Sequence, residues 1–517
     1  MKKHQNTITK RVSLLDEPWL PVRMLSGEVR ELGLLALFEQ ASQIVALAET
    51  APPSLMAQYR LLLAITHRAL SAQTPEWGQR DLRNWFTQGL PTEAMTTYLE
   101  KWRDRFWLFH PEHPFVQVAD LATAAETGEK FKPWTQIDLA SVSGNAPVVF
   151  NHSVDTAPGA ISPLHAIRTL LGFLQCTPGG LVKVFRDADK AGPLANTAAT
   201  LPLGESLAQT LILSLHPASP DHEDLPSWER PALTVANLKS SPLLATGPND
   251  RFTRQTRAVL FQREEDGAIR WLRFAAGQGL EEDPHAPDPM ANFREGSTGS
   301  VRLTFSEGRA LWRDLPALLP DGGDKKSAPA AILDSATRLN KSLGKKHLRL
   351  LVAGLASDQA KLLRWRVEHL ALPLALLEQP EITRTARDML EMAETLFASL
   401  KGVAVQLIAD TLPDSQQKDT RSRARALFDA GPAAPLFFAR AERALMTTLA
   451  QLEQDPDVAE RQWQQVLKEA ALAAWETLLA SQGGGARLWR ANAKAQPRLW
   501  SAIREQLTAL NETGELQ

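Results

Sequence analysis

Residues 353 to 366 read AGLASDQAKLLRWR, and the chain changes character where this stretch turns. An apolar run of Leu348, Leu350, Leu351 and Val352 ends at Gly354. Cap-type residues follow at Ser357 and Asp358, and Ala360, Leu362 and Leu363 open a helical pattern. The spacing predicts a turn at Gln359 and a helix from about residue 361. Between Arg338 and Arg366 there are eight Lys or Arg against one acid, Asp358, in a chain of formal net charge -2. That local excess fits a polyanion nearby, but on this stretch alone an ordinary strand-to-helix turn with solvated Lys and Arg around it is the favoured reading.

Working outward towards the C-terminus, helical patterns run over about 361 to 378, 382 to 410, 421 to 451, 457 to 481 and 486 to 509. They are separated by Pro373, Pro380, Pro413, Pro432, Pro435, Pro456 and the glycines at 483 to 485. This predicts an antiparallel bundle of four principal helices. Arg421, Arg423, Arg425, Arg440 and Arg443 give its third helix a basic side, either solvated or lying along DNA. Towards the N-terminus the pattern is mixed. Residues 12 to 30 alternate around Pro18, Pro21 and Gly27 like two short strands, and Leu32 to Ala48, Leu55 to Ala72 and Pro91 to Arg105 have helical spacing, with Ala-Pro-Pro at 51 to 53 as a break. The fold class expected is α+β: a large mixed domain over 1–360 with short sheets and helices, then an all-α four-helix bundle over 361–517.

A chain of 517 residues exceeds what one core usually serves. Its 44% hydrophobic and 22% charged residues are those of a soluble globular protein. The single Cys176 excludes an internal disulfide and a multi-cysteine zinc site and points to a reducing compartment. The opening MKKHQNTITKR is basic with no apolar segment behind it, and no uninterrupted apolar run is long enough to span a bilayer, so we expect a cytoplasmic chain without export signal or membrane anchor. With 57 Lys and Arg against 59 Asp and Glu, any nucleic-acid contact must come from local patches.

Four stretches hold candidate chemistry. His110 and His113 in FWLFHPEHPF are three apart, yet Pro111 and Pro114 oppose a continuous helix and no acidic or cysteine partner stands at ligand spacing. A turn tucking Phe109 and Phe115 into the core is the expectation. From Lys132 to Pro163 the chain is rich in Gly, Pro, Ser and Asn and too long for a plain connection. Within it Phe150, Asn151 and His152 offer a base-stacking aromatic with polar neighbours, or a local hydrophobic anchor. The helix opened by Ser162 and Pro163 ends at TPGG, 177 to 180, where Gly179 and Gly180 allow close backbone approach and unobstructed amide donors, or simply stop the helix. Arg251 to Arg273 hold six arginines and three acids, patterned like a hairpin about Asp266 and Gly267 that could reach a phosphate or base edge.

Catalytic signatures are missing from the sequence: no G-x-x-x-x-G-K, no nucleophile elbow and no carboxylates at two-metal spacing. The ordered series PWLPV, HPEHPF with Gln117, the VSG to VFNH loop, TPGG, DPHAP and GLASDQAKLLRWR resembles the large subunit, CasA, of the type I-E CRISPR surveillance complex Cascade, over about Leu15 to Leu510. The resemblance implies a non-enzymatic, cofactor-free and metal-free DNA-binding subunit. Its partners would be a guide RNA, the other Cascade subunits, double-stranded target DNA and a helicase-nuclease.

By motif, the resemblance implies that Phe150, Asn151 and His152 contact the guide handle or neighbouring subunits. Gly179 and Gly180 would match the loop that meets the protospacer-adjacent motif in the minor groove, and Gln359 the wedge that enters the duplex to start strand separation and the R-loop. Asp358 stands where the family uses an amide; its charge would repel phosphate, so capping the following helix is its expected role. The family's lysine finger has no clear lysine here, and Arg270 and Arg273 in the corresponding hairpin could substitute with different geometry. The glycine loop is also shorter. Two other classes remain: a stand-alone metal-dependent hydrolase using His110 and His113, and a helical adaptor without nucleic-acid contact, for which the near-neutral charge argues.

Overall fold

The computed structural model describes residues 11–139, 157–180, 182–217, 224–296, 299–320, 327–358, 361–413 and 417–508. Phe150, Asn151, His152 and Gln359 lie outside them. Two compact units emerge, Met1–Arg309 with Lys326–Leu372, and Ala310–Lys325 with Pro373–Gln517. The expected division at residue 360 thus differs from this one by a whole strand and by the 310–325 segment.

The first unit opens with a sheet of order β2–β1–β3, made of β1 (Leu20–Met24), β2 (Val29–Leu32) and β3 (Ile44–Leu47). Gly27, at φ 87, closes the β1–β2 turn. The helix expected over 32–48 shrinks to Leu34–Glu39, because Ile44–Leu47 pairs with β1, with a register shift between Arg23 and Met24. Next, α1 (Pro52–Gln73) is buried over most of its length. Pro52 and Pro53 begin it rather than break the chain, since the first turn needs no N–H from them. Packed on α1 is α2 (Pro163–Cys176), capped by Ser162, whose hydroxyl accepts from the His165 amide. Arg60 of α1 is fully buried and donates to Gln175 Oε1 at 2.9 Å and Asp288 Oδ1 at 2.5 Å, so one interior cation ties α1, α2 and the DPHAPD loop. An interior guanidinium is tolerable only when paired in this way.

Two further sheets carry the stretches singled out above. β5 (Arg257–Arg263) and β6 (Ile269–Ala276) form the expected hairpin, with Lys132–Pro133 on its edge. The other sheet corrects the reading of the opening stretch. β4 (Ala199–Leu203), β7 (His347–Asp358) and β8 (Lys361–Pro373) lie in the order β8–β7–β4. Residues 361–373 are therefore strand, not helix, and Asp358 ends β7 instead of capping a helix. The physical reason is that Trp365 and Val367 alternate with Arg366 and Glu368 at the two-residue period of a strand. Pairing with β7, itself held on β4 from Arg349↔Leu203 to Ala353↔Ala199, then decides the outcome.

The second unit is all-helical among its described residues: α3 (Pro380–Thr411), α4 (Lys418–Asp429), α5 (Ala433–Leu452), α6 (Pro456–Ser481) and α7 (Ala486–Gln506), preceded by a short turn at Ala375–Glu378 and the 3₁₀ segment Leu311–Leu318. Four helices are long, and the 421–451 pattern is two helices broken at Gly431 and Pro432. At its most apolar, α3 has mean hydropathy 1.3, enough by length and composition to cross a bilayer. Here it is the central helix, packed by α4, α5, α6 and α7. Trp312 enters this core edge-on to Trp463 at 6.2 Å, and Arg313 grips Glu394 with two bonds of 2.6 and 2.8 Å. Those contacts explain why 310–320, distant in sequence, belongs to the bundle.

Candidate nucleic-acid interface

The geometry of the site starts from α2. Near its N-terminal end, Trp134 donates to Gly159 O at 2.8 Å, joining the two ends of the stretch that holds 140–156. A cavity of about 120 Å³ lies there, lined by Trp134, Leu139, His165, Arg168 and, from β8, Trp365. At its other end, about 20 Å away for a helix of this length, the chain leaves through Thr177, Pro178, Gly179 and Gly180. The last three are exposed. Gly180 has φ 153 with open space where a Cβ would stand, whereas a Cβ on Gly179 would meet Ala191 N at 3.2 Å.

The amide donors expected of this loop are only partly available. Gly180 donates to Asp189 O at 3.1 Å and accepts from Asp189 N at 2.8 Å, so its backbone is already used. What the loop offers is close approach, with no side chain in the way.

Beneath it sits Asp189, a residue the sequence reading missed. Its buried carboxylate accepts from Arg186 at 2.5 Å and Lys190 N at 3.0 Å through Oδ1 and from Gly277 N at 3.0 Å through Oδ2, which also forms an ion pair with Arg257 at 3.1 Å. Arg257 also donates to Pro178 O at 2.7 Å and Lys190 O at 2.8 Å. Burial depresses the Arg257 pKa and the Asp189 charge opposes this. The only signal in the sequence was an acid among small residues in DADKAG, 187 to 192.

From Asp189 the chain turns over residues 193–196 and enters β4, which pairs with β7. Gly192 donates to Thr177 O, Leu194 to Gln175 O, and Thr197 O stands 2.3 Å from where a Cβ on Gly354 would be. The glycine loop and β7 thus rest on one segment, 189–199. From Ala191 to Thr197 that segment spans at most about 20 Å. β7 continues from Gly354 to Asp358 beyond its last pair with β4, about 16 Å of strand at roughly 3.3 Å per residue. Residue 359 follows directly.

The arginine-rich hairpin differs from expectation. Arg251, Arg254 and Arg257 are interior: Arg254 clasps Asp250 and donates to Leu243 O and Leu244 O, and Arg251 donates to Ala286 O. Arg270 is held by Glu264 and, at 3.0 Å, by Asp266; these bonds raise its pKa. Asp266 is lowered, first by the Ala268 amide and then by Arg270. Arg273 donates to Gly128 O and Gln262 and lies 4.5 Å over the Phe131 ring. Ala276 pairs with Arg257, the anchor of the glycine loop, and Arg270 lies six residues away along β6, about 20 Å. The structure does not bring Arg270 to the loop.

On the bundle, Arg421, Arg423 and Arg425 are exposed on α4, while Arg440 and Arg443 are on α5, so the five do not share one helix. His110 Nδ1 accepts from the amides of Glu112 and His113 at 3.1 and 2.9 Å, which makes HPEH a self-capped turn, and Phe115 packs in the core on Phe106 at 5.0 Å. No group of three or more His, Cys, Asp or Glu able to hold a metal stands among the described residues.

Residues 13–477 match the family model of CRISPR-associated protein Cse1. The CRISPR-associated protein CasA/Cse1 of Thermus thermophilus is 33% identical over 503 residues, covering 94% of this chain and 96% of that one. A solved structure of Thermus thermophilus CasA (Cse1) superposes with TM-score 0.81 at 30% identity, over 96% of this chain and 99% of that one. A chain of a CRISPR RNA-guided surveillance complex shares the fold at TM-score 0.72 and 21% identity, over 95% and 99%.

Proposed function

Because the chain belongs to the CasA/Cse1 family, we propose that it serves as the non-catalytic large subunit of an RNA-guided CRISPR surveillance complex. It recognises a short motif in double-stranded DNA and begins strand separation beside it. Its partners are the guide RNA, the neighbouring subunits and a helicase-nuclease that docks on it. The observation that carries this reading is the shared seat of the Gly179–Gly180 loop and β7 on residues 189–199.

A loop without side chains suits the minor groove, whose donor and acceptor pattern is degenerate and rewards close backbone approach. A paired strand leading to residue 359 holds a wedge better than a free loop would. Gln359 presents a neutral amide that donates and accepts at an unpaired base edge without bringing a charge. Opening the first base pair forfeits a stacking step of roughly 1.4 kcal/mol, which guide pairing offsets only afterwards. In the assembled complex, Gln359→Ala is therefore expected to keep single-stranded target binding and to lose duplex binding by about tenfold, one stacking step's worth, with rescue by pre-melting the bases beside the motif. Equal loss on intact and pre-melted duplex, or no loss on either, refutes the wedge.

A further inference from the structure

We propose that Asp189 is the positioning residue of the glycine loop, setting how far Gly179 and Gly180 stand from the DNA; this rests on the reading that the loop meets the motif. The loop has little to hold it by itself. Pro178, Gly179 and Gly180 are exposed and two of them lack side chains, so the backbone would otherwise sample many conformations. Beyond the Gly192 amide on Thr177 O, its fixed points lead to Asp189. Asp189 exchanges two backbone bonds with Gly180, and Arg257, paired to Asp189 Oδ2 at 3.1 Å, holds Pro178 O.

The same carboxylate is bolted to the end of β6 through the Gly277 amide and through Arg186, which also donates to Gly277 O and to Ser240 O at 2.8 Å. Gly277 itself has no room for a side chain, a Cβ there falling 2.4 Å from Arg257 N and Gln255 O. The Asp189 side chain has 0% exposure and Arg257 2%, with Arg186 at 12% on the rim. Three donors and an ion pair on one buried carboxylate fix its orientation, and through it the height of the loop above the β5–β6 sheet. Recognition by backbone approach depends on that height, because a displacement of about an ångström opens or closes the contact.

The test uses the assembled guide complex and three probes: the duplex whose motif is selected from a library randomised beside the target, a duplex with that motif scrambled, and single-stranded target. Asp189→Asn and Arg186→Met are expected to reduce the selected-to-scrambled affinity ratio, about tenfold for the first and less for the second, with single-stranded binding unchanged. A merely structural role would weaken all three probes together and leave the ratio alone. Should Asp189→Asn fail to fold, Arg186→Met at the rim decides, since it leaves the Asp189–Arg257 pair intact. Gly180→Val runs in parallel. A normal ratio in Gly180→Val overturns the reading of the loop, whereas a lost ratio there with a normal one in Asp189→Asn and Arg186→Met overturns the positioning role alone.

Discussion

His67 shows how far a single side chain can be committed by its neighbours. Its Nδ1 accepts from Asn249 Nδ2 at 3.0 Å, its Nε2 donates to Pro217 O at 3.2 Å, and its ring stacks on His216 at 3.8 Å. A second proton would have to sit where the Asn249 amide already points. Burial, then the nearby His216, and also Arg68, push its pKa well below 6.5; Pro217 O and Asp224 pull the other way without prevailing. Asp224 is held low although burial opposes it, because His216 stands 3.7 Å from its carboxylate and the amides of Asp250 and Asn249 donate to it. The unfolded chain protonates His67 near 6.5 and the folded chain does not, so stability is full above that pH and falls as pH drops below it. The slope is at most about 1.4 kcal/mol per pH unit for one proton. Denaturant titrations between pH 7.5 and 5.5 should show that loss, and His67→Gln should flatten it whatever its own cost. An identical slope in the variant would remove His67 from the account.

At the scale of elements, the hairpin of β7 and β8 depends on a missing side chain. A Cβ on Gly354 would stand 2.3 Å from Thr197 O, a backbone atom that cannot swing away. Gly354→Val should cost about 1–3 kcal/mol by overpacking and should separate β7 from the 189–199 segment, seen as a lower Tm and as duplex binding restored by pre-melting. Gly402→Ala on α3, where nothing lies within 4 Å, should be neutral or stabilising by about 0.4–1 kcal/mol. A Gly354→Val protein with unchanged Tm would contradict the close approach. This element also marks what the sequence made legible. The apolar run into Gly354 was readable, and so were the long helices from 380 onward, because each is set by local periodicity. The strand at 361–373 was not, since Leu362 and Leu363 are adjacent and fit either period until β7 is placed beside them. Interior arginines such as Arg254 and Arg257 look like surface charge in the sequence, because Asp189 lies 68 positions before Arg257 and only the fold joins them.

For the whole molecule, a formal net charge of -2 leaves no general field to hold DNA, so affinity must be concentrated in patches. The exposed arginines of α4 are one candidate patch, and helix geometry divides them. Arg421 and Arg425 are one turn apart on the same side, while Arg423 points about 160° away from each. Ala424 and Phe428 face the core next to Arg421, which donates to Gln406 Oε1 at 3.2 Å at the edge of the packed side. If that side lies along the displaced strand or the incoming nuclease's DNA, the pair meets phosphate and Arg423 does not. The double change Arg421→Glu and Arg425→Glu should then reduce the magnitude of the slope of log affinity against log salt by about 1.4 for a single strand or about 1.8 for a duplex, two contacts at about 0.7 or 0.9 each. Arg423→Glu should leave it nearly intact. Duplex binding by the assembled complex from about 50 to 200 mM salt measures both, a range over which phosphate contacts are strongly weakened. An equal slope in wild type and the double variant would make this face solvated surface, and an equal drop in both variants would indicate a general charge effect in place of a docked strand.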